Sequence, residues 1–135
     1  MCIVENMDVL VEIHSWYRWA VLAVLLGVGI LGVARAAQGA PWSGASERPF
    51  SLATIIFDLQ LALGIVLWIG NKGWDQDFFI KVIHPVGMLL AAGVAHMALV
   101  RARKTDGPSS YRIAGAGLII ALVIVASIVP SDAWF

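Results

Sequence analysis

Four long apolar stretches separated by short polar links dominate the pattern of this chain. The first covers about residues 16–37, and a link rich in Gly, Pro and Ser follows it over 38–49. The second covers about 52–70 and is interrupted only by Asp58 and Gln60 before the polar link NKGWDQD. The third, about 82–100, is stopped by Arg101, Arg103 and Lys104. The fourth, about 113–129, is closed by Pro130, Ser131 and Asp132. Each run is close to the ~20 residues a helix needs to cross the hydrocarbon of a bilayer. Short links place each helix antiparallel to the next, so the pattern predicts an all-α, up-down-up-down integral membrane bundle forming one domain over 1–135.

Composition supports the membrane assignment. Of the 135 residues 60% are hydrophobic and only 13% are charged, with a mean hydropathy of +0.85, far more apolar than a soluble domain. The formal net charge is zero, which gives no electrostatic footprint for nucleic acid. The single Cys2 excludes an internal disulfide and any CxxC or CxxCH motif, and it is read as incidental. The first residues carry Glu5, Asp8 and Glu12 where a secretory leader would be basic, so the N-terminus is expected to be retained.

The charges are sorted by side. Arg35, Arg48, Arg101, Arg103, Lys104 and Arg112 fall on the side of the first and third links, and only Arg18, Lys72 and Lys81 fall on the other. Basic residues near span ends stay cytoplasmic. Both termini are therefore expected to face outward, to the periplasm or its equivalent. Trp16, Tyr17, Trp19, Trp68, Trp74, Trp134 and Phe135 gather at that outer boundary like an interfacial aromatic belt, with Trp42 alone at the inner one.

The candidate chemistry lies in the histidines. His14 and His84 precede the apolar cores of the first and third spans by similar amounts, and these two spans lie diagonally across an up-down bundle. Two imidazoles at one depth can approach a flat macrocycle from opposite faces. That geometry suits one bis-histidine haem, b-type because no covalent attachment motif exists, whose six-coordinate iron favours electron transfer. Arg18, one turn after His14, is placed to meet a haem propionate as a bidentate donor. Met88, one turn after His84, would pack against a ring edge. Gln60, Gly64 and Trp68 share a face of the second span, and Gly64 leaves room for something broad to approach the backbone. Gly27, Gly29 and Gly32, with Gly115 and Gly117, are expected to permit close helix packing.

His96 lies twelve residues beyond His84, about 18 Å of helical rise, and cannot share its iron. Asp58 on the antiparallel second span is at a comparable depth, so the two are expected to meet. Such a pair suits a proton path or a quinone headgroup, or it is simply a polar clasp between helices.

The segments HSWYRW (His14 to Trp19), DLQLALGIVLW (Asp58 to Trp68) and HPVGM (His84 to Met88) resemble those of small four-span bacterial membrane proteins labelled cytochrome b-like. The resemblance runs through nearly the whole chain in order and spacing. It implies a haem-b four-helix architecture with His14 and His84 as the matching histidines and Arg18, Trp19, Gln60 and Gly64 as further matching positions. The acidic residue that often precedes the second histidine in that family is replaced here by Ile83.

The expected function is electron relay between a periplasmic carrier and a quinone or a larger redox complex, as a subunit rather than a free-standing enzyme. The rival reading is an accessory subunit of a respiratory or photosynthetic membrane complex, either without a cofactor or binding bacteriochlorophyll through one histidine. Copper handling by the histidines with Met88 or Met97 fits less well, because those side chains do not converge on one point.

Overall fold

With no water in the bilayer core, a spanning segment must pair its own backbone, and the four apolar runs accordingly become helices. The computed structural model describes residues 2–134, with side chains described from Glu5 onward. The side chain of Cys2 and all of Phe135 lie outside the described residues. The helices are α1 (Cys2–Ala37), α2 (Gly44–Gly70), α3 (His84–Arg103) and α4 (Pro108–Ser127). All four are long and apolar enough to cross a membrane, and no strand occurs among the described residues.

α1 has 36 residues, about 54 Å at 1.5 Å per residue, well beyond the ~30 Å hydrocarbon. It begins far ahead of its apolar run, so His14 sits within a continuous helix. α4 instead ends two residues short of the apolar run, because Pro130 cannot continue it. Apolar side chains face outward on every helix, Ile30, Leu52, Leu90 and Val123 among them. An apolar exterior all round the bundle is a lipid-facing surface.

The packing is uneven, and the small residues explain why. α4 packs closely against both α1 and α3, whereas α2 packs more loosely on the same two neighbours. α1 and α3 therefore stand across the interior from each other. A Cβ at Gly32 would lie 2.7 Å from Gly115 Cα, and one at Gly29 would lie 2.6 Å from Ile119 Cδ1. Gly117 likewise faces Ala98. These backbones touch because nothing intervenes, as small residues allow in membranes. Gly27 differs from its expected role, since a Cβ there would meet nothing within 4 Å.

α2 is held by polar ties instead. Tyr17 Oη donates to the Ile56 carbonyl at 3.0 Å, and Gln60 Nε2 donates to the His14 carbonyl at 2.9 Å. Toward α3, Asp58 meets His96 and Glu47 meets Arg103 at 2.6 Å. At the end of the bundle carrying the 1–2 link, Trp42, Phe50 and Tyr111 pack with ring centroids 5.0–6.2 Å apart. Trp42 is thus packed on the core rather than set at an interface alone. With that end filled by aromatic rings, the free volume lies at the other.

Candidate functional site

A cavity of about 710 Å³ opens at the end of the bundle where α1 begins and α4 ends. This is within the ~300–1,000 Å³ of small-molecule and cofactor sites. His14, Arg18, Gln60, Gly64, His84 and Met88 all line it. Six candidate positions, scattered over three helices in sequence, thus converge on one space. Asp58 and His96 are not among its lining residues.

His84 owes its position to an irregular turn. Pro85 has no N–H for the carbonyl four residues back, and its ring crowds that carbonyl. The chain answers with a π-helical turn over Phe79–Ile83, in which the His84 N–H bonds the Phe79 carbonyl. Asp77 Oδ2 accepts the Phe79 N–H at 3.0 Å and anchors the start of this turn. π-turns of this kind recur at functional sites.

The orientation of the His84 ring is set from α4. Its Nδ1 lies 2.8 Å from the Ile128 carbonyl. A carbonyl can only accept, so Nδ1 carries the hydrogen and Nε2 keeps the lone pair. That carbonyl is free because α4 stops at Ser127 and Pro130 turns the chain away. Gly87 lets the two segments approach, since a Cβ there would lie 2.6 Å from Ile128 Cδ1. A histidine whose second nitrogen is tied to a backbone carbonyl is the arrangement found around metal-ligating imidazoles.

His14 faces this space from α1. Gln60 Nε2 holds its carbonyl and lies 3.5 Å from its Nε2. The room at Gly64 is taken by His14 itself, because a Cβ at Gly64 would be 3.3 Å from His14 Cε1. The broad object admitted by this glycine is therefore the imidazole edge. Arg18 is tied in place: Nη2 donates to the Ala133 carbonyl at 2.7 Å. Its guanidinium also lies 5.3 Å from the Trp19 ring, which packs edge-on against Trp134 at 5.8 Å. Met88 is buried on the opposite wall.

Trp68 departs from the expected aromatic belt. It turns inward against Gly73 and lines the cavity, while Trp16, Trp19 and Trp74 stay exposed. The signal was present in its spacing with Gln60 and Gly64, one face of α2.

Four buried side-chain polar atoms lack a hydrogen-bond partner among the described residues: His14 Nδ1, Arg18 Nε, Gln60 Oε1 and Trp68 Nε1. All four belong to residues lining this one cavity. Buried polar groups are paired in the great majority of cases, so a cluster of orphans on one wall marks a place where a polar ligand completes the set. Arginine and indole N–H groups suit a carboxylate, and two imidazoles on facing helices suit a metal in a flat ring. No group of three or more His, Cys, Asp or Glu residues forms a metal site among the described residues, and a two-histidine ligand set does not require one.

Asp58 and His96 do meet, with His96 Nε2 2.9 Å and 3.0 Å from the two carboxylate oxygens. They differ from the expectation of burial: the side chains are 43% and 49% exposed, on the outer face between α2 and α3. No protein-family model, curated protein or solved structure matches this chain.

Proposed function

We propose that this protein is a haem-b-binding electron-transfer protein of the membrane, with His14 and His84 as the two axial ligands. The observation that carries this reading is the cavity itself. It lies between two diagonal helices that each contribute a histidine, and all four unpaired buried polar atoms belong to its walls. The Ile128 carbonyl holds His84 with Nε2 as the lone-pair nitrogen, the tautomer a ligand needs. Arg18 and Trp68 supply N–H donors for propionates, and Met88, Leu61 and Val125 supply an apolar wall.

Bound there, a bis-imidazole haem supplies a one-electron couple without an open coordination site. The chain's part is to orient two imidazoles, exclude water with aliphatic side chains and neutralise the propionates. The absence of a CxxCH motif makes the group b-type. The sorting of Lys and Arg favours termini on the outer side and a haem near the outer leaflet, and the resemblance to small bacterial membrane proteins makes that membrane a bacterial cytoplasmic one with periplasmic termini. Electrons would pass between a periplasmic carrier and a quinone or a larger respiratory or photosynthetic complex in which this chain is a subunit.

The test is a reduced-minus-oxidised visible spectrum of the purified protein and of His14→Ala and His84→Ala. A low-spin b-type spectrum abolished in both variants is the expected result. A folded wild type without a haem signal refutes the reading, and a chlorin absorbance in its place would assign the cavity to bacteriochlorophyll.

A further inference from the structure

The Asp58–His96 pair belongs to no part of that cavity. Asp58 lies six residues from Leu52 and His96 four from Val100, about 9 Å and about 6 Å of helical rise from the ends of their apolar runs. Both are therefore inside the hydrocarbon, and both are nearly half exposed on the bilayer side. Intramembrane ionisable side chains normally face a bundle interior or a water-filled cavity. This pair faces lipid.

Small residues stand beside it. One turn toward the cavity end lie Gly93 on α3 and Ala62 on α2, both exposed. A Cβ at Gly93 would meet nothing within 4 Å, so packing within this chain gives no reason for a residue that weakens a helix relative to alanine. With only a hydrogen and a methyl group at these two positions, the surface there is a shallow notch on two loosely packed helices.

The pair also has hydrogen-bonding capacity to spare. With Nε2–H given to the carboxylate, His96 Nδ1 is the free ring nitrogen and makes no hydrogen bond among the described residues. Asp58 keeps lone pairs beyond those His96 uses. Acyl chains offer such groups nothing. The ligand that fits arrives through the bilayer, is flat enough to lie across Gly93 and carries hydroxyl donors.

We propose that Asp58, His96 and the Gly93–Ala62 notch form a bilayer-facing binding site for the headgroup of a lipid-soluble quinol. A ring hydroxyl donates to the Asp58 carboxylate or to His96 Nδ1, the ring lies over Gly93, and the tail stays in lipid. Leu61 is three residues from Asp58 and lines the cavity, so the two sites adjoin through one turn of α2. As the docking place of the redox partner, the site rests on the electron-transfer reading; as a binding site it stands alone.

The experiment is anaerobic photolabelling of the full chain in lipid nanodiscs with the hydroquinone form of an azido-quinone bearing a decyl tail, competed by decyl-ubiquinol and mapped by peptide mass spectrometry. Competable label on the α2 and α3 peptides holding Ala62 and Gly93 is expected, reduced at least tenfold by Asp58→Leu and by His96→Leu. Gly93→Leu fills the notch without touching the rest of the fold and is expected to remove the label while melting like the wild type. The proposal is overturned by label that decyl-ubiquinol does not compete. Label mapping to Met88 or to the Trp68 wall also overturns it, and so does quantitative Met97→Cys cross-linking between two copies that shuts the probe out. The haem spectrum of the same samples is read separately. Label without haem refutes the electron-transfer reading and keeps the quinol site, and haem without label does the reverse.

Discussion

His84 donates its Nδ1 hydrogen to the Ile128 carbonyl, 2.8 Å away just past the end of α4. The bond needs the carbonyl left over where α4 ends, and it needs Gly87, whose missing side chain admits Ile128. It fixes the direction in which His84 presents its other nitrogen. Gly87→Leu should therefore push Ile128 off α3 and free the ring. Losing such a hydrogen bond typically weakens metal binding ~10–100-fold. On the haem proposal, retention of haem through dialysis against a haem-binding apoprotein checks it, and retention equal to wild type would remove Ile128 from the site.

Trp68 Nε1 is buried without a partner among the described residues. An unpaired buried donor costs about 1–3 kcal/mol, so Trp68→Phe should leave the cofactor-free protein as stable as before or slightly more so. On the haem proposal, the loaded protein should lose affinity, because a propionate would then pair the donor. Melting of the two forms, with and without added haem, gives opposite signs under this account. A fall in both would make Trp68 a packing residue only.

Gln60 ties α2 to the His14 carbonyl at 2.9 Å in a loosely packed interface. Interhelical hydrogen bonds in membranes average about 0.6 kcal/mol and reach about 1.7. Gln60→Leu should destabilise the bundle by an amount in that range and loosen His14. Dodecyl sulfate titration followed by circular dichroism measures the first effect, and broadening of the haem absorption bands reports the second.

The glycines of α1 divide sharply. A Cβ at Gly32 would lie 2.7 Å from Gly115 Cα, whereas at Gly27 it meets nothing within 4 Å. Overpacking a close contact costs about 1–3 kcal/mol, and more where backbone is the obstacle. Gly32→Leu is expected to separate α1 from α4, and Gly27→Leu to be tolerated. Equal effects in the same denaturation assay would mean that α1 and α4 do not meet along this face.

Glu47 and Arg103 form the other polar tie of α2 to α3, at 2.6 Å and partly exposed. Exposed ion pairs are worth ~0.2–1 kcal/mol. Glu47→Gln should shift denaturation by no more than that, and less at high salt. A larger loss would indicate that this tie governs how α2 seats on the bundle.

Much of this arrangement is written in local pattern. Runs of about 20 apolar residues can only become helices in hydrocarbon, because no water is there to satisfy an open backbone. Short links make neighbours antiparallel, which puts α1 and α3 on a diagonal and His14 opposite His84. Helical spacing then aligns Arg18 with His14, Met88 with His84, and Gln60, Gly64 and Trp68 with one another. The meeting of Asp58 with His96 follows from counting residues inward from the same end.

What tertiary structure decided depends on how closely backbones approach and where side chains rotate, and neither has a period in the sequence. The partner of His84 is a main-chain carbonyl, and every residue has one. Only the end of α4 at Ser127 and the absent side chain of Gly87 select Ile128. The space at Gly64 went to the edge of His14, and Arg18 went to the Ala133 carbonyl, because those atoms were nearest once the helices had seated. Trp68 turned inward because Gly73 gave its ring room. Asp58 and His96 met as their depth required, yet on the exposed surface of the bundle, because α2 rests loosely on α3. Depth along a helix is set by sequence at 1.5 Å per residue. Rotation about its axis is set by which neighbours are small enough to touch.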